Sequence, residues 1–206
     1  REVEGQRELR RCMRVAFAPA TALRPMKIVF SEAPADYQHY VFPYAVWAFR
    51  EPGESPAALF DAGFLPSGPQ LERFYLCRHV RVALGHFKPS SENRRILRKV
   101  AGVGLRVIPI AEFELTPDRL EFCERYAEAR LGATVMSADR IRRIFSGTLA
   151  NSVLIFQDLA TNREIGLIAL FLIPGELAFY HFAFYDAGDP AKHLGMGMMT
   201  RTVDWA

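Results

Sequence analysis

Residues 152–185 read SVLIFQDLATNREIGLIALFLIPGELAFYHFAFY. Three apolar runs stand out, Ser152–Gln157, Glu164–Ile173 and Leu177–Tyr185. The breaks between them, DLATN and PG, are short and rich in turn residues. Runs of this length joined by such breaks predict three consecutive strands linked as hairpins. The longest unbroken apolar run, Ile165–Ile173, is strand length and falls far below the ~18 residues of a membrane span. No membrane is therefore expected as a partner.

Working outward, Leu105–Ile110 reads as another strand. Thr116 is placed to cap a helix with Pro117 at its first position and Leu120, Cys123, Ala127 and Leu131 on one face. Ser137 caps a second helix, with Ile141, Ile144 and Phe145 inward and Gly147 as its stop. After the meander a last helix begins near His193. The order is strand–helix–helix–strand–strand–strand–helix. The final strand leads into the turn KHLGMG, Lys192 to Gly197. Glycines there let a ligand approach the backbone, and unpaired N–H groups at a helix start bind an anion or a carbonyl oxygen. Small residues would equally let the helix pack on the sheet.

Toward the N-terminus the charge becomes uneven. Nine Lys/Arg and two acids lie between Glu72 and Arg106, a net +7 in a chain whose total is +3. A concentrated basic surface calls for an anionic partner such as phosphate. Gln70–Leu84 alternates, with Phe74, Leu76, Val80, Val82 and Leu84 on one face, Arg78 the exception, and Arg73, Tyr75, Cys77, His79 and Arg81 on the other, which predicts a half-buried strand with a basic outer face. Ser90–Ala101 reads as a helix with Ile96, Leu97 and Val100 inward and Arg94, Arg95, Arg98 and Lys99 outward. Met26–Phe30 is a strand candidate. Ser55–Phe64 reads as a helix capped by Ser55 and stopped at Gly63. His39–Arg50 is aromatic and interrupted by Pro43. Residues 1–25 lack a helical or strand period and read as an extension that is disordered or non-native.

Half of the 206 residues are hydrophobic, enough for a sizeable core. Three scattered cysteines, Cys12, Cys77 and Cys123, with no CxxC pair, argue against a disulfide framework or a zinc ribbon and for a cytoplasmic setting.

The element order resembles that of the acyl-CoA N-acyltransferase (GNAT) fold, and the motifs narrow the likeness. Ala62-Gly-Phe64 followed by Arg73-Phe-Tyr75, then Arg78-His-Val-Arg81-Val82, then FKPSSENRRILRK (Phe87–Lys99), and finally FAFYD (Phe182–Asp186) with Leu194-Gly195, resemble blocks of the arginyl-tRNA–protein transferases. That family includes the bacterial aspartate/glutamate leucyltransferases, and the likeness covers about Phe42 to Ala206. It implies an α+β fold: a GNAT-like, mainly antiparallel sheet flanked by helices over residues 105–206, after a smaller α/β region over 26–104. Because Ala206 falls inside the last helix, the C-terminal part of such a sheet is expected to be missing.

The resemblance implies an aminoacyltransferase that moves an amino acid from a charged tRNA to a protein N-terminal amine, a step of N-degron tagging. Its partners would be aminoacyl-tRNA and a protein or peptide N-terminus, with no DNA. Arg94, Arg95, Arg98 and Lys99 would meet tRNA phosphates or the terminal adenosine. Leu194, Gly195 and Gly197 would receive the acyl carbonyl or the ribose–phosphate region. Tyr185 and Asp186 would orient the amine, with Asp186 as base or cation site. The plain alternatives are a solvated helix face, a strand-end aromatic and turn chemistry in DAGDP. Phe42-Pro43-Tyr44 stands where the family has CPY, and Cys77 alone remains near the basic block. A cluster needs about four thiolates, so no metal and no cofactor is expected. An aminoacyl ester is already activated, and no Ser-His-Asp triad is legible. An acetyl-CoA-dependent N-acetyltransferase using the same glycine turn, and a non-catalytic relative binding tRNA or protein, are the competing readings.

Overall fold

The structure, a computed structural model, describes residues 26–36, 43–132, 135–147, 149–188 and 193–206. The extension read at residues 1–25, His39–Phe42 and Lys192 of the glycine turn lie outside the described residues.

The protein is mixed α+β, with two antiparallel sheets of four strands each. The first contains β1 (Lys27–Glu32), β2 (Tyr44–Phe49), β3 (Phe64–Pro66) and β4 (Arg73–Leu76), in the order β1-β2-β4-β3. Helix α1 (Pro56–Asp61) lies between β2 and β3 in the chain. Ser55 caps it by accepting from the Ala57 N–H, and Gly63 at φ +97° takes the chain out of it. The second sheet is β5 (Val103–Pro109), β6 (Ser152–Asp158), β7 (Glu164–Ile173) and β8 (Leu177–Tyr185) in sequence order, so the predicted meander is present. Helix α2 (Ser91–Lys99) precedes it, α3 (Pro117–Leu131) and α4 (Ala138–Ile144) follow β5, and α5 (Leu194–Trp205) follows β8. Thr116 and Ser137 cap α3 and α4 as the sequence indicates. None of the helices among the described residues is long and apolar enough to cross a membrane.

One expected strand is much shorter. Only Arg73–Leu76 of the alternating stretch Gln70–Leu84 pairs with neighbours, and Val80 is 93% exposed. On one side its partner β3 has three residues and starts directly after the Gly63 turn, and on the other its pairing with β2 stops at Trp47–Tyr75, so the chain leaves both neighbours after Leu76. Alternation gives a strand only where neighbours supply hydrogen bonds. Leu131, assigned to the inward stripe of α3, sits at the helix's last position and is 41% exposed.

The second sheet is covered on both faces. Cys123 and Ala127 of α3 and Ile141 and Ile144 of α4 bury Val153, Ile155, Leu167, Ala169 and Phe184. On the other face Val100, just past α2, and Leu194 and Met198 of α5 bury Leu154, Phe156, Ile168 and Leu170. A third cluster joins the sheets. Phe60 of α1 lies edge-on to Phe74 of β4 at 5.8 Å, stacks on Phe171 of β7 at 6.2 Å and meets Phe179 of β8 at 5.1 Å.

Candidate functional site

The glycine turn, the end of β8 and the arginine helix come together at one end of the second sheet. Three local features bring this about.

The first is a β-bulge. Ala169 pairs with Phe182 but Leu170 pairs with Tyr180, so His181 is an extra residue in β8. A bulge reverses which residues face each side. Tyr180 and Tyr185, five apart, thereby both join the cluster beneath α2 and α5, while Phe182 and Phe184 join the opposite one. Burial lowers the His181 pKa, and Arg140 adds to that.

The second is the close approach that glycine allows. A Cβ on Gly195 would stand 2.7 Å from the Tyr185 ring, and one on Gly197 would stand 2.5 Å from a Val100 methyl. Gly195 therefore seats the Tyr185 ring on the first turn of α5, and Gly197 seats α5 against the end of α2. Leu194 is 5% exposed, its side chain in the core. What this turn offers a ligand is its backbone. His193, at φ 50°, makes no side-chain cap bond to the α5 N-terminus, so first-turn N–H groups there have no side-chain acceptor from the cap.

The third is the course of α2. Gly197 packs on Val100, and Arg201 of α5 donates to the carbonyls of Val100 and Val103. At the other end His193 acts electrostatically on Glu92. The two helices therefore run side by side in the same direction, with their N-termini together. Ser90 and Asn93 form a reciprocal capping box that fixes the start of α2.

The arginine block is exposed but engaged. Arg95 grips Glu92 through two hydrogen bonds of 2.6 and 2.5 Å, and this pairing holds the Glu92 carboxyl below the usual carboxylate range. Arg94 donates to the Pro89 carbonyl at 2.6 Å. Arg98 and Lys99 are exposed on the last turn. A phosphate arriving at Arg95 competes with Glu92, whereas Arg98 reaches it at no such cost.

Asp186 is committed locally. One carboxylate oxygen accepts from Arg163 at 2.8 Å and the other from the Gly188 N–H at 3.0 Å. That is the turn chemistry DAGDP suggested, and Asp186 acts as a base only if the Arg163 pair opens.

Sequence reasoning missed the neighbours of Tyr185. Tyr126 of α3 has its ring 4.7 Å from the Tyr185 ring, and Arg130 lies 6.0 Å from the Tyr185 ring centre. Burial, then Tyr185, pushes the Tyr126 phenol up to about 12. Burial raises the Tyr180 phenol too, with Tyr126 and Tyr185 adding to it. The available signal was position, since Tyr126 immediately precedes the inward Ala127 on α3. Among the described residues no group of three or more His, Cys, Asp or Glu is placed to hold a metal ion. No protein-family model matches the chain, and no curated protein sequence is significantly similar to it.

Proposed function

We propose that the chain is an aminoacyl-tRNA–protein transferase of GNAT-like fold, working in the cytosol on a charged tRNA and a protein N-terminus. The observation that carries this reading is the meeting of the arginine helix α2 with the glycine-bearing start of α5 at the end of β8. A basic surface beside first-turn N–H groups that His193 does not cap suits an acyl ester attached to a polyanion.

The chemistry asks little of the protein. An N-terminal α-amine, pKa roughly 7.7–8.0, is partly neutral at cytosolic pH. It attacks the ester carbonyl to give a tetrahedral oxyanion. The C–O bond to the terminal ribose then breaks, and the ribose hydroxyl leaves with a proton that ends the step lost from the amine. First-turn N–H groups of α5 receive the oxyanion. Tyr185 and Tyr126, whose rings lie 4.7 Å apart, orient the amine through their phenol hydroxyls. Asp186, bound to Arg163, holds the turn that leads into α5.

The test is transfer of a radiolabelled amino acid from total aminoacyl-tRNA to peptides with Asp, Glu, Arg or Lys N-termini. Labelled peptide is expected, with tRNA affinity and its salt slope both reduced in Arg94→Ala/Arg95→Ala. Unlabelled peptides together with an unchanged salt slope overturn the reading. The uncapped start of α5 suits a pyrophosphate as well, so thermal stabilisation by acetyl-CoA and not by charged tRNA would transfer the assignment to an N-acetyltransferase.

A further inference from the structure

The first sheet shows a set of aromatic and basic side chains on its outer face. Ala48 and Phe74 are fully buried, so their strand neighbours point the other way. Register then places Trp47 beside Tyr75, and Lys27 and Arg73 on either side of Phe49. The rings of Trp47 and Tyr75 are 6.4 Å apart. The Arg73 guanidinium lies 4.8 Å over Trp47, and the Lys27 ammonium lies 6.0 Å from Phe49. The group is held in place: the Trp47 indole N–H donates to Ser31 Oγ at 2.9 Å and Arg73 Nε donates to Ser67 Oγ at 2.9 Å.

The described helices leave this face uncovered. Helix α1 contributes Leu59 and Phe60 to the opposite side, and the other four pack on the second sheet or on one another. Tyr75 is 37% exposed. No acidic residue occupies an outward strand position here, so the strands present aromatic rings and cations, with Glu72 the acid at the margin. At its margin the loop between β3 and β4, with Gln70, Leu71 and the acid Glu72, walls a recess of about 300 Å³ against Phe49 and Arg73. Leu71 in that loop has φ 55°, in the left-handed region that side-chain-bearing residues rarely adopt.

We propose that this face binds single-stranded nucleic acid. Bases stack on Tyr75 and Phe49, one of them entering the recess, and Lys27 and Arg73 take the adjoining phosphates. An antiparallel sheet offering aromatic rings between cations is how unpaired bases are held without a groove to read. Tyr75 and Phe49 stand diagonally on neighbouring strands, roughly 7–8 Å apart, a step that two splayed bases span. Double-stranded RNA keeps its bases stacked on each other and gains nothing from the rings. This inference uses different residues from the transferase reading and does not depend on it.

The test uses Trp205→Phe, which leaves Trp47 as the only tryptophan of the two. A single-stranded RNA 10-mer is titrated while Trp47 emission and the anisotropy of the labelled oligonucleotide are followed. Saturable quenching is expected, absent with the duplex form. Lys27→Gln and Arg73→Gln should each reduce the salt slope by about 0.7. Tyr75→Ser should weaken binding roughly 10-fold. Arg94→Ala/Arg95→Ala should leave the quenching in place. Binding without quenching, a salt slope unmoved by Lys27→Gln and Arg73→Gln, or quenching that follows protein concentration alone through self-association, overturns the proposal. Amino-acid transfer is not read in this experiment, so either idea can fail without the other.

Discussion

At the scale of single residues, two glycines of α5 carry the most specific information. Gly197 has no room for a methyl, since Val100 would stand 2.5 Å from it. Gly197→Ala is expected to destabilise the fold by about 1–3 kcal/mol, the usual range for overpacking. Trimming the obstacle should return part of that loss, so Gly197→Ala/Val100→Ala should be more stable than the sum of the single effects. Denaturant melts of the four proteins check this, and strict additivity would mean that the helices do not touch there. Tyr126 gives a prediction in pH. Its phenol ionises at about 12 in the folded chain against 10 in the unfolded one. Between those values the native state holds the extra proton, so its contribution is complete below pH 10 and is lost as pH rises toward 12. Tyr126→Phe removes that titration, and its denaturation midpoint should fall less between pH 9 and pH 11 than the parent's. An equal fall in both would place the tyrosine in water.

At the scale of elements, the ion pair between α3 and β7 ties a helix to the sheet beneath it. Arg119 donates twice to Glu164, at 2.8 and 2.7 Å, while its guanidinium lies 4.7 Å over Phe113. Both side chains are largely covered, at 21% and 27% exposure. Glu164→Gln should therefore cost about 1.5–3 kcal/mol, the range for hydrogen bonds to charged groups. Arg119 lowers the Glu164 pKa, so the pair contributes above the ordinary carboxylate range and is lost as pH falls. Glu164→Gln should flatten the acid side of the stability curve, and an unaltered acid limb would contradict the assignment. Elements of this kind were legible where local chemistry fixes them. The caps at Ser55, Thr116 and Ser137 lie where hydroxyls precede helical periods, and the meander follows from its short turns. The Gln70–Leu84 strand was misread because pairing partners are set by the fold and leave no mark on the strand's own residues. The site was half legible for the same reason. Gly195, Tyr185 and the arginines are marked locally, but the bulge at His181 and the arrival of Tyr126 from α3 are tertiary facts.

At the scale of the molecule, the question is whether the two sheets unfold as one. Phe60 links them, because its ring meets Phe74 in the first sheet and Phe171 and Phe179 in the second. A shared aromatic cluster makes opening either sheet expose the other's apolar surface, which favours a single cooperative transition. Two reporters separate the halves. Trp47, in a Trp205→Phe background, senses the first sheet through its indole. Cys123 is fully buried in the α3 side of the second, where burial pushes its thiol up to about 12 and suppresses the reactive thiolate. Trp47 emission and Cys123 labelling should therefore change at the same denaturant concentration in the parent. Phe60→Ala removes the ring from both contacts at once, at a cost of about 3–5 kcal/mol. Its loss falls harder on the first sheet, where α1 and three short strands share one core with it. The Trp47 transition should then move ahead of Cys123 labelling. If both move together by the same amount, the sheets are coupled by more than this ring, and the Ser55–Glu176 hydrogen bond at 3.4 Å becomes the next contact to cut.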